Sequence, residues 1–234
     1  MSRLFGAAAV AAGAMFCSTT APQASGAACP DVEVIFARGT NEPPGVGIVG
    51  QSVVDALHGQ LGPRSIDVYP VNYAASGDFA SPGFAGTVLA GAHDAATHVK
   101  NTAAACPGTK IVVGGISQGA IVAAYVAAAP SMAGVPAPVV SDHVAAVTLF
   151  GKPAGQSLIK YHAPDLTLGP QYVAQTIDLC IPGDTVCDGT IDGGPTPAHV
   201  MYAMNGMTTQ AAQFAAERIP PPPPPAPDLP PPPA

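Results

Sequence analysis

GGISQGA, residues 114–120, lies between the apolar run TKIVV (109–113) and the small-residue run IVAAYVAAA (121–129). A serine flanked by glycines where a strand hands over to a helix admits two readings. It is either a nucleophile held out on a strained turn or an ordinary turn residue in a chain with 26 glycines. Gly115–Gly119 fits G-x-S-x-G, in which the glycines let strand and helix pass close together and leave the serine hydroxyl above the sheet. In so glycine-rich a chain the pattern alone is weak. Its setting, an apolar strand entering and a helix leaving, strengthens it.

Outward from this turn the same alternation repeats. DVEVIFA (31–37), SIDVYPVNY (65–73), TKIVVGG (109–115), DHVAAVTLFGKP (142–153) and VAQTIDLC (173–180) read as strands, with Pro70 interrupting the second and Pro153 closing the fourth. VGQSVVDALHGQL (49–61), residues 85–105, residues 118–129 and MTTQAAQFAAERI (207–219) read as helices. Strands alternating with helices imply an α/β fold, a three-layer α/β/α sandwich around a mainly parallel sheet.

A second glycine motif competes for the function. Gly45, Gly47 and Gly50 match G-x-G-x-x-G ahead of a helix, with Asp67 downstream as a ribose-binding acid. A dinucleotide site needs those glycines on the turn directly after the first strand. Here RGTNEPP (38–44) intervenes, and Asp67 lies near the start of a strand rather than its end. The dinucleotide reading is set aside.

The two ends differ from the middle. Residues 1–27 run from one Arg through a short apolar stretch to small polar residues, the order of a secretory signal peptide with a cleavage site at Ser25–Ala27. The apolar part is short against the ~20 residues of a membrane span, which disfavours an uncleaved anchor. Eleven of residues 220–234 are Pro, so neither helix nor sheet forms there and a polyproline tail is expected. The expected division is a signal over 1–27, a domain over 28–219 and a Pro-rich tail over 220–234. Secretion follows, with retention at the cell wall as the second location.

Charge and cysteine content narrow the class. The formal net charge is −7 with only 10% charged residues and no basic cluster, which excludes nucleic acid as a partner. With Cys17 in the signal, Cys29, Cys106, Cys180 and Cys187 remain, and three connectivities are open to them. Cys180 and Cys187 bracket the short turn CIPGDTVC; the other two would tie the start of the domain to the region before the serine strand. A four-thiolate metal site lacks the usual C-x-x-C pairs.

A nucleophilic serine needs a base, and the base an orienting acid. The hydrolase order is Ser, then Asp or Glu, then His. Of the histidines after Ser117, His143 opens a strand and His162 precedes any well-placed acid. His199, in GGPTPAHVMY (193–202), follows Asp184 at the tip of the Cys180–Cys187 segment. Asp178, Asp188 and Asp192 are the rival acids. Ser117, Asp184 and His199 are the expected triad.

These segments together resemble the cutinase family, small lidless α/β-hydrolases. VIFARGT (34–40) is similar to the family's first strand and oxyanion loop, GGISQGA to its elbow, CIPGDTVC to its Asp loop and AHVMY (198–202) to its His segment. The resemblance implies pairing Cys29–Cys106 and Cys180–Cys187, and an oxyanion hole from Thr40 and the backbone N–H of Gln118. It also implies a secreted serine esterase that acts on polyester, short- to medium-chain ester or lipid substrates without cofactor or metal. A monomer touching lipid surfaces transiently is expected. Two residues depart from the family pattern: Ile116 stands where many members have Tyr, and Phe79 where fungal members have Asn. The competing class is a non-catalytic surface protein attached through the Pro-rich tail; a peptidase on the same triad is a third reading.

Overall fold

The computed structural model describes residues 28–129, 141–191 and 193–221. The expected signal peptide, nearly all of the Pro-rich tail and Asp192 lie outside these residues.

Five strands, β1 (Val32–Ala37), β2 (Ile66–Pro70), β3 (Lys110–Ile116), β4 (Val144–Phe150) and β5 (Thr176–Leu179), form one sheet in the order β2-β1-β3-β4-β5. All four neighbouring pairs are parallel. The three inner strands are the long apolar runs and are buried almost throughout, as strands covered on both faces must be. Glu33, the exception in β1, is buried with its carboxylate bonded by His98 and Thr102. Pro70 ends the edge strand β2, where a missing N–H costs no ladder bond.

Alternating side chains send the core to two faces. Ile35, Val113 and Val147 pack beneath α2 (Phe84–Ala105) and α3 (Gln118–Val126). Phe36, Val112 and Phe150 pack beneath α1 (Gly47–Leu61) and α6 (Met207–Ala216). The result is the three-layer sandwich expected, each wholly buried side chain such as Phe36 contributing roughly 1.5–3 kcal/mol. Two short helices, α4 (Gly155–Lys160) and α5 (Pro170–Val173), lie between β4 and β5.

The glycine-rich 45–50 segment takes no dinucleotide turn. Nine residues separate β1 from α1, and Gly50 sits inside the helix, where an added Cβ would lie 2.7 Å from the Phe36 ring. Close helix–strand packing explains that glycine. The disulfides are Cys29–Cys106 and Cys180–Cys187, the pairing the resemblance implied.

The order β2-β1-β3 reverses direction between β1 and β3. In open α/β sheets, ligands bind beyond the carboxyl ends of the strands at such a switch point. The loop carrying Thr40 and the turn carrying Ser117 both emerge there.

Candidate active site

Ser117 is the single residue between β3 and α3, with φ 57° and ψ −121°. A non-glycine residue held there stores on the order of 1–3 kcal/mol of strain. The flanking glycines make the turn sterically feasible. A Cβ at Gly115 would stand 2.1 Å from the Gly119 carbonyl oxygen, and one at Gly119 would stand 2.1 Å from that of Ala37. The Ser117 N–H donates to the Phe150 carbonyl at 2.9 Å, which pins the turn to the end of β4. The first N–H groups of α3 lack carbonyl partners inside the helix, and the helix dipole favours negative charge in front of them.

A rigid strap follows β1. Buried Arg38 donates from Nε to the Glu42 carbonyl (2.8 Å) and from Nη2 to the Tyr73 carbonyl (2.6 Å). The Tyr73 hydroxyl returns a hydrogen bond to the Arg38 carbonyl, and the Glu42 carboxylate accepts from the Gly39 N–H. Burial pushes the Tyr73 phenol well above its ordinary value, so it remains a donor. Asn41 (φ 60°) donates its N–H to Ala75 and accepts from the Gly77 N–H. The buried Gln118 side chain donates to the Ser76 carbonyl at 3.0 Å. The segment 75–77 thus joins the Thr40 strap to the first residue of α3. An open depression of about 560 Å³, lined by Thr40, Glu42, Pro44, Ile48 and Gln51 among others, begins at the strap.

Asp184 and His199 meet directly. The imidazole Nδ1 lies 3.0 Å and 2.9 Å from the two Asp184 oxygens. Asp184 lies in the Cys180–Cys187 turn, but its side chain points inward and is wholly buried, with His199 nearly so. A carboxylate taken out of water needs charge-assisted hydrogen bonds. Oδ1 also accepts from the Val186 N–H (3.1 Å), and Oδ2 from the Tyr202 hydroxyl (2.6 Å). With Nδ1–H facing the carboxylate, Nε2 is left as the proton acceptor.

Local sequence explains how Asp184 and His199 are held. His199 lies on a short 3₁₀ turn, Pro197–Val200, begun by a proline whose missing N–H has no partner to lose there. Thr196 and Thr185 each send a hydroxyl to the opposite loop, to the carbonyls of Gly183 and Gly194. At Gly151 (φ +52°) a Cβ would stand 2.9 Å from Asp184 Oδ2. Since the Phe150 carbonyl receives the Ser117 N–H, one dipeptide at the end of β4 links the Ser117 turn to Asp184.

The rival acids lie elsewhere. Asp178 is on β5, exposed and paired with Lys152 at 3.2 Å. Asp188 is exposed, and its carboxyl is held below the usual range by the Thr190 hydroxyl and N–H. His143 precedes β4 at the opposite end of the sheet, bonded to the Thr109 carbonyl, and His162 (φ 53°) lies in the turn after α4. Among the described residues no cluster of three or more His, Cys, Asp or Glu could hold a metal, and no helix is long and apolar enough to cross a membrane. Arg38, Tyr73 and Tyr202 are given no role by the sequence, although Arg38 and Tyr202 fall within the VIFARGT and AHVMY segments.

A parallel sheet with its nucleophile-type turn at the switch point places the protein among the α/β-hydrolase-like enzymes. More narrowly, the chain belongs to the cutinase family, whose model matches residues 28–219. It is 47% identical over 193 residues to Carboxylesterase Culp1 of Mycobacterium tuberculosis, covering 82% of each chain. To Phospholipase Culp4 of the same organism it is 44% identical over 224 residues, covering 94% of this chain and 92% of the relative. Among solved structures, the Trichoderma reesei cutinase in complex with a phosphonate inhibitor matches with TM-score 0.63 and 32% identity, over 82% of this chain and 77% of that one. An acetyl xylan esterase, 22% identical with TM-score 0.64 over 82% of this chain and all of its own, shares the fold. The protein is a carboxylic ester hydrolase.

Proposed function

We propose that this is a secreted serine carboxylesterase working through Ser117, His199 and Asp184. The observation that carries the reading is the buried Asp184–His199 pair, which leaves Nε2 free to take a proton, its acid following β5 at the same carboxyl end of the parallel sheet where the strained Ser117 follows β3. Ser117 attacks the ester carbonyl while His199 accepts its proton; the oxyanion is met by Thr40 and the Gln118 N–H. His199 then protonates the departing alcohol, and water, deprotonated by the same imidazole, releases the acid from the acyl-enzyme. Asp184 fixes the imidazole tautomer and stabilises the imidazolium.

Acyl esters of neutral or lipid alcohols are the proposed substrates, since relatives are named both carboxylesterase and phospholipase. Exposed apolar residues support transient contact with a lipid surface: Ile48 beside the Thr40 strap, and Val200 and Met204 just after His199. Residues 1–27 act as the export signal, a reading that the two disulfides support, and residues 220–234 act as a spacer at the cell wall.

A p-nitrophenyl alkylphosphonate, which mimics the tetrahedral intermediate, tests the nucleophile. The expected outcome is one equivalent of p-nitrophenol, total loss of esterase activity and an adduct on the Ser117 peptide by mass spectrometry. A fully inactivated protein whose Ser117 peptide is unmodified, or no release, would refute the reading in favour of another nucleophile or a binding protein. Turnover across p-nitrophenyl esters of increasing acyl length then defines the chain preference.

A further inference from the structure

We propose that Tyr202 is a positioning residue for this chemistry, its hydroxyl setting both the orientation and the charge of the Asp184 carboxylate that faces His199. The proposal rests on the triad reading above. Tyr202 is wholly buried, and its hydroxyl donates to Asp184 Oδ2 at 2.6 Å while accepting the Ile181 N–H at 3.2 Å. One phenol oxygen therefore grips the side chain of the acid and the backbone of the loop that carries it. Its ring stands edge-on to both His199 (6.4 Å between centroids) and Phe150 (6.0 Å).

The local geometry makes this more than packing. His199 is on the 3₁₀ turn Pro197–Val200 and Tyr202 lies two residues beyond its end, so one short segment delivers two donors to one carboxylate. Without the hydroxyl, Oδ2 keeps only the imidazole, and the carboxylate is held by the Val186 N–H at Oδ1 and by an imidazole nitrogen shared between both oxygens. Burial, then the bond to Asp184, hold the phenol above its ordinary value, so it stays a donor wherever the enzyme works. The other charged group acting on it is Asp178, exposed and paired with Lys152.

The sign of the electrostatic effect is fixed. A hydrogen bond to Oδ2 withdraws charge from the carboxylate, so the imidazolium opposite is stabilised less. Removing it makes the imidazolium persist to higher pH; strengthening it does the reverse.

Tyr202→Phe keeps the ring and deletes the hydroxyl. On a soluble p-nitrophenyl ester kcat should fall roughly tenfold, the scale of one hydrogen bond to a charged group. KM should hold, and the acid limb of the kcat–pH profile should move to higher pH. Site-specific 3-fluorotyrosine at 202, a stronger donor of nearly the same shape, should move that limb to lower pH, and it serves as the test if Tyr202→Phe does not fold. A Tyr202→Phe protein that melts earlier but keeps wild-type kcat and pH profile, or a fluorotyrosine protein with an unmoved limb, overturns the proposal in favour of pure packing. Ser117→Ala, assayed alongside, separates the two levels: activity surviving in that variant refutes the triad reading, whereas its loss with Tyr202→Phe unchanged refutes only this inference.

Discussion

Ser117→Ala is expected to lower turnover of a soluble ester by about a million-fold, the loss typical of deleting the nucleophile of a serine hydrolase, without lowering the melting temperature. The two halves of this expectation have separate causes. Turnover falls because no acyl-enzyme can form, leaving only whatever the oxyanion donors and binding contribute. Stability is preserved because alanine tolerates φ 57° no worse than serine does, and the Ser117 N–H bond to Phe150 belongs to the backbone. Ser117→Gly should be equally inactive but more stable by about 1 kcal/mol, relief of the backbone strain outweighing the greater chain entropy of glycine. Residual turnover above about a tenth of wild type, where near-total loss is expected, would exclude Ser117 as the nucleophile. A Ser117→Gly protein that melts below wild type would show that the elbow is not strained.

The parts of this design legible in the sequence are those written in local pattern. β1, β3 and β4 are apolar runs because both of their faces are covered, and the glycines around Ser117 are forced by contacts within two ångströms or so of a carbonyl. What local pattern misses is decided at a distance. The run after Ser117 reads as helix to residue 129, yet α3 stops at Val126. There the chain turns to donate the Ala129 N–H to Thr167 and bridge Ala128 to Leu168, and these long-range bonds override alanine's helix propensity. The fifth strand begins only at Thr176, because the proline at the start of α5 favours a helical turn first. Six-residue α4, with Leu158 its one buried residue, is too short to show a period.

The site divides the same way. Ser117, Asp184 and His199 can be named from motif and order, whereas Arg38 and Tyr73, partners 35 residues apart, carry no local signature. A buried arginine between two loops is visible only once the sheet has brought them together. Phe79 is the instructive departure. Its ring packs at 5.0 Å from Phe84 and 5.2 Å from Tyr161, so the loop beside the strap is anchored by aromatic contacts as well as by the hydrogen bonds of Asn41 and Gln118. That places an apolar, partly exposed wall at the loop beside the strap.

The two disulfides should separate stability from catalysis. Cys29–Cys106 joins residues 77 apart in sequence, and chain-entropy arithmetic gives about 4–5 kcal/mol for such a loop. Cys29 precedes β1 and Cys106 precedes β3, at the end of the sheet away from Ser117. Replacing both with Ser should therefore lower the melting temperature by roughly 10–15 °C and leave turnover per folded molecule nearly unchanged. Cys180–Cys187 spans only seven positions, and the same arithmetic gives about 2.5 kcal/mol. Its importance lies in what it encloses: the Asp184 carbonyl accepts the N–H groups of Cys187 and Asp188, and its carboxylate accepts that of Val186. Freed of the bridge, this turn can shift the carboxylate by an ångström, and a misplacement of that size costs on the order of a hundredfold in rate. Replacing Cys180 and Cys187 with Ser should thus cut turnover sharply while the protein still melts cooperatively, at a higher temperature than the first double variant. Thermal melts combined with phosphonate titration of competent sites distinguish the two, because the titration normalises turnover to the folded fraction. Loss of turnover confined to the Cys29/Cys106 variant would mean that the short bridge does not hold the acid, and that Asp184 is positioned by its hydrogen bonds alone.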